Sequence, residues 1–196
     1  MYTLFADVPE PDNLRVPVRG RYRVDTVHIL RGPAPAPPSS RSFLFRIEAP
    51  EPLSLPSAVQ LGGTAGAAQY TDPAAPTAAA NGLGPLPAPC RAVLIPLRKS
   101  KSWWDLDASS RRAYFHASPT HPNHTDVAAP YIKQIHRRLF HARGTTPDYD
   151  FLTYFEFLPQ DESAFRKLLA ALRDVRRNPE WNYIDREWEI WMTKLS

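Results

Sequence analysis

The 196-residue chain holds a single cysteine, Cys90. It therefore has no intrachain disulfide framework and no thiolate-rich zinc site, and a reducing, cytoplasmic setting is expected. No run of 18 or more apolar residues occurs, so no helical membrane span is expected. The opening segment MYTLFAD has no basic stretch followed by an apolar core and does not read as a secretory signal. Glycine is scarce, with eight residues, and its one cluster, Gly62-Gly63 through Gly66, is not followed by the Gly-Lys-Ser/Thr of a phosphate-binding loop. Charge is nearly balanced: the net value is +4 and the pI about 9.3. That mild excess is compatible with a small anionic ligand, and neither nucleic acid nor membrane is expected as a partner.

With 43% hydrophobic and 22% charged residues, the composition is that of a globular chain with a sizeable core. Proline and tryptophan divide it. Sixteen of the 22 prolines precede residue 97, and all five tryptophans follow residue 102. The stretch Gly32 to Pro38 is a stiff extended loop, and Gly62 to Pro89 is rich in Ala, Gly and Pro with few large apolar residues. In the first half, residues 2–6, 21–31 and 42–48 read as short strands. In the second, 91–98 is a compact apolar strand. Two helices are predicted next, over 107–117 with Asp107 as N-cap and over 127–142 with Pro130 in its first turn and an Ile132, Ile135, Leu139 stripe. A strand over 149–158 follows, sharing Phe151, Thr153, Phe155 and Phe157 on one face. An amphipathic helix over 161–177 ends at Asn178-Pro179, and a last strand spans 181–193. Strand, helices, strand, helix, strand is the order of a ferredoxin-like unit. The fold class is α+β, an antiparallel sheet with helices on one face. Its other face must be covered by the earlier strands, a ligand or a partner subunit. Residues 1–89 and 90–196 form two unequal halves of one domain, the first Pro/Ala-rich.

Five of the six histidines lie between His116 and His141, behind Trp103 and Trp104, interleaved with arginines and aromatics rather than with cysteines and carboxylates. That mixture suits a large, flat, anionic cofactor better than a bare metal ion.

From Cys90 to Met192 the chain resembles the chlorite dismutases, most closely their short, dimeric branch. The resemblance rests on AVLIPLRKS (92–100), Trp103-Trp104, RRAYF (111–115), IHRRLFH (135–141), DFLTYFE (150–156) and PEWNYIDRE (179–187). It implies a ferredoxin-like dimeric α+β barrel, haem b with its iron as cofactor, a homodimer, and a small anionic substrate such as chlorite or a similar oxyanion or peroxide. By the same resemblance the proximal iron ligand is the histidine thirteen residues before the arginine of the I-x-R-x-L segment, His124 before Arg137. Arg137 is then the distal catalytic cation, and Glu180 the carboxylate behind the ligand. Lys99, Trp103 and Trp104 fall near the haem edge, the haem and the subunit interface, and Tyr70 joins the same shell. In HASPTHPNH (116–124) about three residues are extra, so His121 stands as a rival ligand; His116, His136 and His141 read as structural. Val59 stands where the family has tryptophan.

The chemistry implied needs one neutral imidazole on iron, a carboxylate on its other nitrogen, and one fixed positive charge in an otherwise apolar pocket. The activity expected is decomposition of chlorite to chloride and dioxygen. A related haem enzyme with a peroxidase-like or biosynthetic substrate, a haem-free dimeric barrel acting as a binding module, and a zinc site of His116, His121 and His124 remain as alternatives.

Overall fold

The computed structural model of the chain describes residues 1–9, 11–65, 83–115 and 123–196. The six strands read from apolar runs and period-two patterning all form: β1 (Tyr2–Ala6), β2 (Val18–Arg31), β3 (Phe43–Ala49), β5 (Cys90–Lys99), β7 (Phe151–Phe157) and β8 (Ile184–Lys194). Two more, β4 (Gln60–Ala65) and β6 (His136–His141), come from segments read otherwise.

β4 lies in the stretch taken as loop, and its glycines are the reason that it can pair. A Cβ on Gly62 would sit 1.9 Å from the Tyr2 hydroxyl, and one on Gly63 would sit 2.8 Å from the His141 carbonyl oxygen. Glycine here admits a neighbour's ring and backbone, a use of glycine inside strands that weakens the sequence signal. β6 replaces the second half of the helix predicted over 127–142. Ile132, Ile135 and Leu139 fit helical spacing, and His136–His141 carries no period-two pattern that would announce a strand. Six residue pairs with β7, from His136↔Glu156 to His141↔Phe151, and the full burial of Phe140 outweigh the local period. The helical part shrinks to α3 (His124–Ala128) and a 3₁₀ turn at Ile132–Gln134.

The eight strands close into an antiparallel barrel in the order β1-β3-β2-β8-β5-β7-β6-β4. Each run of four consecutive strands takes the order fourth, first, third, second, the arrangement of a ferredoxin-like sheet. The barrel is thus two such sheets joined at β2–β8 and, through only two residue pairs, at β4–β6. With β6 in place, the second half reads βαββαβ. The inner face of each half covers the other: Phe5, Tyr22, Leu44 and Leu61 pack with Leu94, Phe140, Leu152, Trp188 and Ile190. The earlier strands therefore cover the sheet face left open by the sequence. The interior also holds a polar chain. Tyr154 donates to Glu156 at 2.6 Å and lies 2.9 Å from the Tyr22 hydroxyl, and the Lys194 ammonium reaches Glu156 at 2.9 Å.

Helices cover the outer face of the second half. α1 (Lys101–Asp105) and α2 (Ala108–Ala113) follow β5, and α4 (Glu162–Arg173) packs Phe165, Leu168, Leu169 and Leu172 against Val93, Phe155, Phe157 and Trp191. Asp107 caps α2 as predicted, its carboxylate accepting from the Ser110 amide at 2.8 Å. α4 is shorter than its pattern. Asn178 binds the Leu172 carbonyl at 2.8 Å and closes the turn, and Arg173 leaves the helix axis to pair with Glu187 and Glu189 of β8. Among the described residues no helix is long and apolar enough to cross a membrane.

Candidate functional site

Three polar side chains from three elements meet beneath the helices of the second half. Lys99 ends β5. Its amide donates to Asp150 at 2.7 Å, which fixes the strand end, and its ammonium bonds Glu180 Oε1. Glu180 sits in the 3₁₀ turn Pro179–Tyr183 that leads into β8. Its other oxygen, Oε2, lies 2.8 Å from His124 Nδ1, on the first residue of α3. Lys99 and Glu180 are 4% exposed, whereas the His124 side chain keeps 20% of its surface.

Burial by itself would raise the Glu180 carboxyl, but the Lys99 ammonium and the His124 imidazole beside it hold it down at about 2. Burial pulls Lys99 below its ordinary value, and Glu180 offsets part of that. The carboxylate thus stays ionised and accepts from His124 Nδ1, which leaves Nε2 as the ring's free lone pair. Among the described residues nothing bonds His124 Nε2. An imidazole held in that tautomer by a carboxylate has the disposition of a metal-ligating histidine.

The backbone around His124 is tied down on both sides. The Asn123 side chain caps α3, its Oδ1 accepting from the Asp126 amide at 2.9 Å. The His124 amide donates to the Tyr114 carbonyl at 3.0 Å and the Thr125 hydroxyl to the Phe115 carbonyl at 2.7 Å.

Arg137 projects from β6 opposite Phe155, on the outer face that also carries Leu139, Thr153, Ile95 and Leu97. It is half-buried, and among the described residues its guanidinium has no hydrogen-bond or ion-pair partner. Desolvation lowers its affinity for the proton, while the field of Glu180 raises it, so the two groups share one environment. A guanidinium remains charged there. One unpaired cation amid apolar side chains is an anion-attracting arrangement.

The tryptophans frame the site differently from one another. Trp103 is 1% exposed, among Tyr114, Phe115 and Tyr183 with ring centroids 5.3–5.8 Å away. The Lys99 ammonium lies 4.3 Å from its ring, and its buried indole N–H has no partner among the described residues. Trp104 stacks on Phe151 at 6.3 Å, with the Arg143 guanidinium 3.5 Å from its ring. Lys99, placed near the haem edge by the resemblance, has its ammonium on Glu180, behind His124. Tyr70, His116 and His121 lie outside the described residues; from the rest of the predicted set the structure brings together His124, Glu180, Lys99 and Trp103, with Arg137 in the field of Glu180 but in no direct contact with them. His136 turns into the barrel, Nδ1 2.7 Å from the Leu83 carbonyl, and His141 packs on Phe151. Among the described residues no cluster of three His, Cys, Asp or Glu is arranged for a metal ion. Asn123, Thr125 and Asp150 are supporting residues that the sequence reading missed. For the first there was a signal, the N-x-x-D spacing of Asn123 and Asp126 at a helix start.

A family model described as chlorite dismutase matches residues 56–191. The chain belongs to the chlorite dismutase family. A chlorite dismutase of Ideonella dechloratans is 34% identical over 91 residues, which is 46% of this chain and 29% of that protein's length. Among solved structures, that of the dimeric chlorite dismutase from Nitrobacter winogradskyi superposes with a TM-score of 0.74 at 30% identity, over 97% of this chain and 99% of the other. A chlorite dismutase from Candidatus Nitrospira defluvii in complex with imidazole gives a TM-score of 0.68 at 22% identity, over 100% and 91% of the two chains, and supports the fold alone. The α+β barrel implied by the resemblance is thus the fold that the chain adopts.

Proposed function

We propose that this chlorite dismutase family member is a haem b oxidoreductase that decomposes chlorite to chloride and dioxygen, and that it works as a homodimer like its Nitrobacter relative. The observation that carries the reading is the His124–Glu180–Lys99 chain, which leaves one imidazole nitrogen free at the edge of an apolar, helix-covered face. The donor set fits haem iron: a single neutral nitrogen ligand, no thiolate, and no second carboxylate that would favour a hard cation. His124 Nε2 would hold the iron, and Trp103, Leu139 and Phe151 belong to the apolar surroundings. Haem, when bound, supplies the redox chemistry.

The remaining work falls to the side chains. Glu180 keeps the Nδ1 proton of His124 in a strong hydrogen bond and so raises the electron donation of Nε2. Lys99 keeps Glu180 from taking that proton. Arg137 draws the substrate anion into a water-poor pocket, orients it, stabilises charge on the oxyanion that departs and retains it for the step that forms dioxygen. A fixed cation in such a site commonly contributes a few kcal/mol of transition-state stabilisation. Arg137 moves no proton, because its own is held too tightly.

The test is direct. Purified protein should bind hemin with a Soret band and release dioxygen from chlorite. Hemin binding without dioxygen would move the reading to another substrate on the same site, such as a peroxide. No hemin binding would leave a barrel that serves as a binding module.

A further inference from the structure

α3, the element that carries His124, is five residues long, too short to be stable by its own hydrogen bonds. Something outside it must set where His124 points. Asn123 is 1% exposed, although asparagine is ordinarily a surface residue. Both ends of its amide are committed to the first turn of α3. Oδ1 accepts from the Asp126 amide at 2.9 Å, and Nδ2 donates to the Asp126 carboxylate at 2.5 Å. Its own carbonyl accepts from the Val127 amide at 3.1 Å. Thr125 ties the same turn to the Phe115 carbonyl at the end of α2. Val127 is the one buried apolar residue of α3, with Ala128 partly buried beside it, so packing alone does not fix the rotation of the helix.

We infer that Asn123 is a positioning residue: its buried amide, clamped on Asp126, sets the rotation of α3 that delivers His124 Nδ1 to Glu180 and aims Nε2 outward. This deepens the haem reading above and rests on it for its consequence, since a ligand that wanders binds iron less well. It makes no contact with the reacting atoms.

The experiment compares the parent with Asn123→Ala and Asn123→Ser, serine being an N-cap that keeps the acceptor. In the apo protein, nitrogen-edited NMR should show an exchange-protected His124 Nδ1 proton in the parent and in Asn123→Ser, and should lose it in Asn123→Ala. Hydrogen-exchange protection of the barrel strands should be the same in all three. In hemin titrations, Asn123→Ala should bind roughly five- to tenfold more weakly, the loss of one typical cap, and Asn123→Ser within about threefold of the parent. Retention of the protected proton in Asn123→Ala would overturn the inference, as would failure of serine to restore it. A His124→Ala control separates the two ideas. If that variant binds hemin as the parent does, the haem reading fails, while the apo proton still decides the clamp.

Discussion

Replacing Glu180 by glutamine should expose how much the Lys99–Glu180–His124 chain contributes to folding. The folded carboxyl sits at about 2 against an ordinary 4.5, and the side chain is buried. A depression of that size corresponds to about 3 kcal/mol of stability. The sign follows from the direction of the shift. The contribution is complete above pH 4.5, where the unfolded carboxyl is also ionised, and is lost as the pH falls from there toward 2. Glu180→Gln removes this dependence. It also leaves the Lys99 ammonium, 4% exposed, beside a neutral amide. Removing one partner of a buried pair typically costs about 3–5 kcal/mol. Adding Lys99→Met takes away the stranded charge, so the double variant should recover much of that loss, with a coupling of about 1–3 kcal/mol. Urea unfolding of the apo protein, followed by circular dichroism at pH 7 and at steps from pH 5 to pH 3, measures each of these. The reasoning is refuted if Glu180→Gln unfolds at the parent's urea midpoint at pH 7, or if the two lose stability equally on acidification.

Other outcomes follow from single contacts. Arg137→Ala should keep hemin affinity near the parent's yet lose about a hundredfold or more in dioxygen release, read with an oxygen electrode, because it removes a cation that has no ion-pair partner among the described residues. Arg137→Lys should restore part of the rate. Gly62→Ala should destabilise the barrel by about 1–3 kcal/mol in the same urea assay, since its Cβ would lie 1.9 Å from the Tyr2 hydroxyl. Pairing it with Tyr2→Ala should relieve most of that cost.

The fold was legible where one physical signal dominated. Phe151, Thr153, Phe155 and Phe157 share one face of a run dense in strand-forming residues, and the amphipathic stripe of α4 has no competing period. It was illegible where two signals met. Ile132, Ile135 and Leu139 satisfy helical spacing, and only the pairing of His136–His141 with β7, a contact between distant strands, turns that stretch into β6. At β4 the cue was inverted: Gly62 and Gly63 read as loop because glycine has no side chain, and the strand needs that very absence to accept Tyr2 and the β6 backbone. In the site, the linear pattern carried the residues but not their connections. The family resemblance pointed to His124, Arg137 and Glu180 as candidates, whereas the bond of Lys99 to Glu180 depends on how β5 and the Pro179–Tyr183 turn approach each other. Asp150 opens the resembling stretch DFLTYFE, but nothing in the linear pattern assigned its carboxylate to the Lys99 amide.

The central claim is that His124 Nε2, freed by Glu180, holds haem iron. Hemin titration of the parent and His124→Ala, followed by the Soret band and by electron paramagnetic resonance of the ferric form, tests it most directly. The account predicts a saturable one-to-one Soret transition with nitrogen-coordinated iron in the parent, and loss or great weakening of that coordination in the variant. A parent that leaves hemin unbound, or a His124→Ala protein with an unchanged iron spectrum, would contradict it.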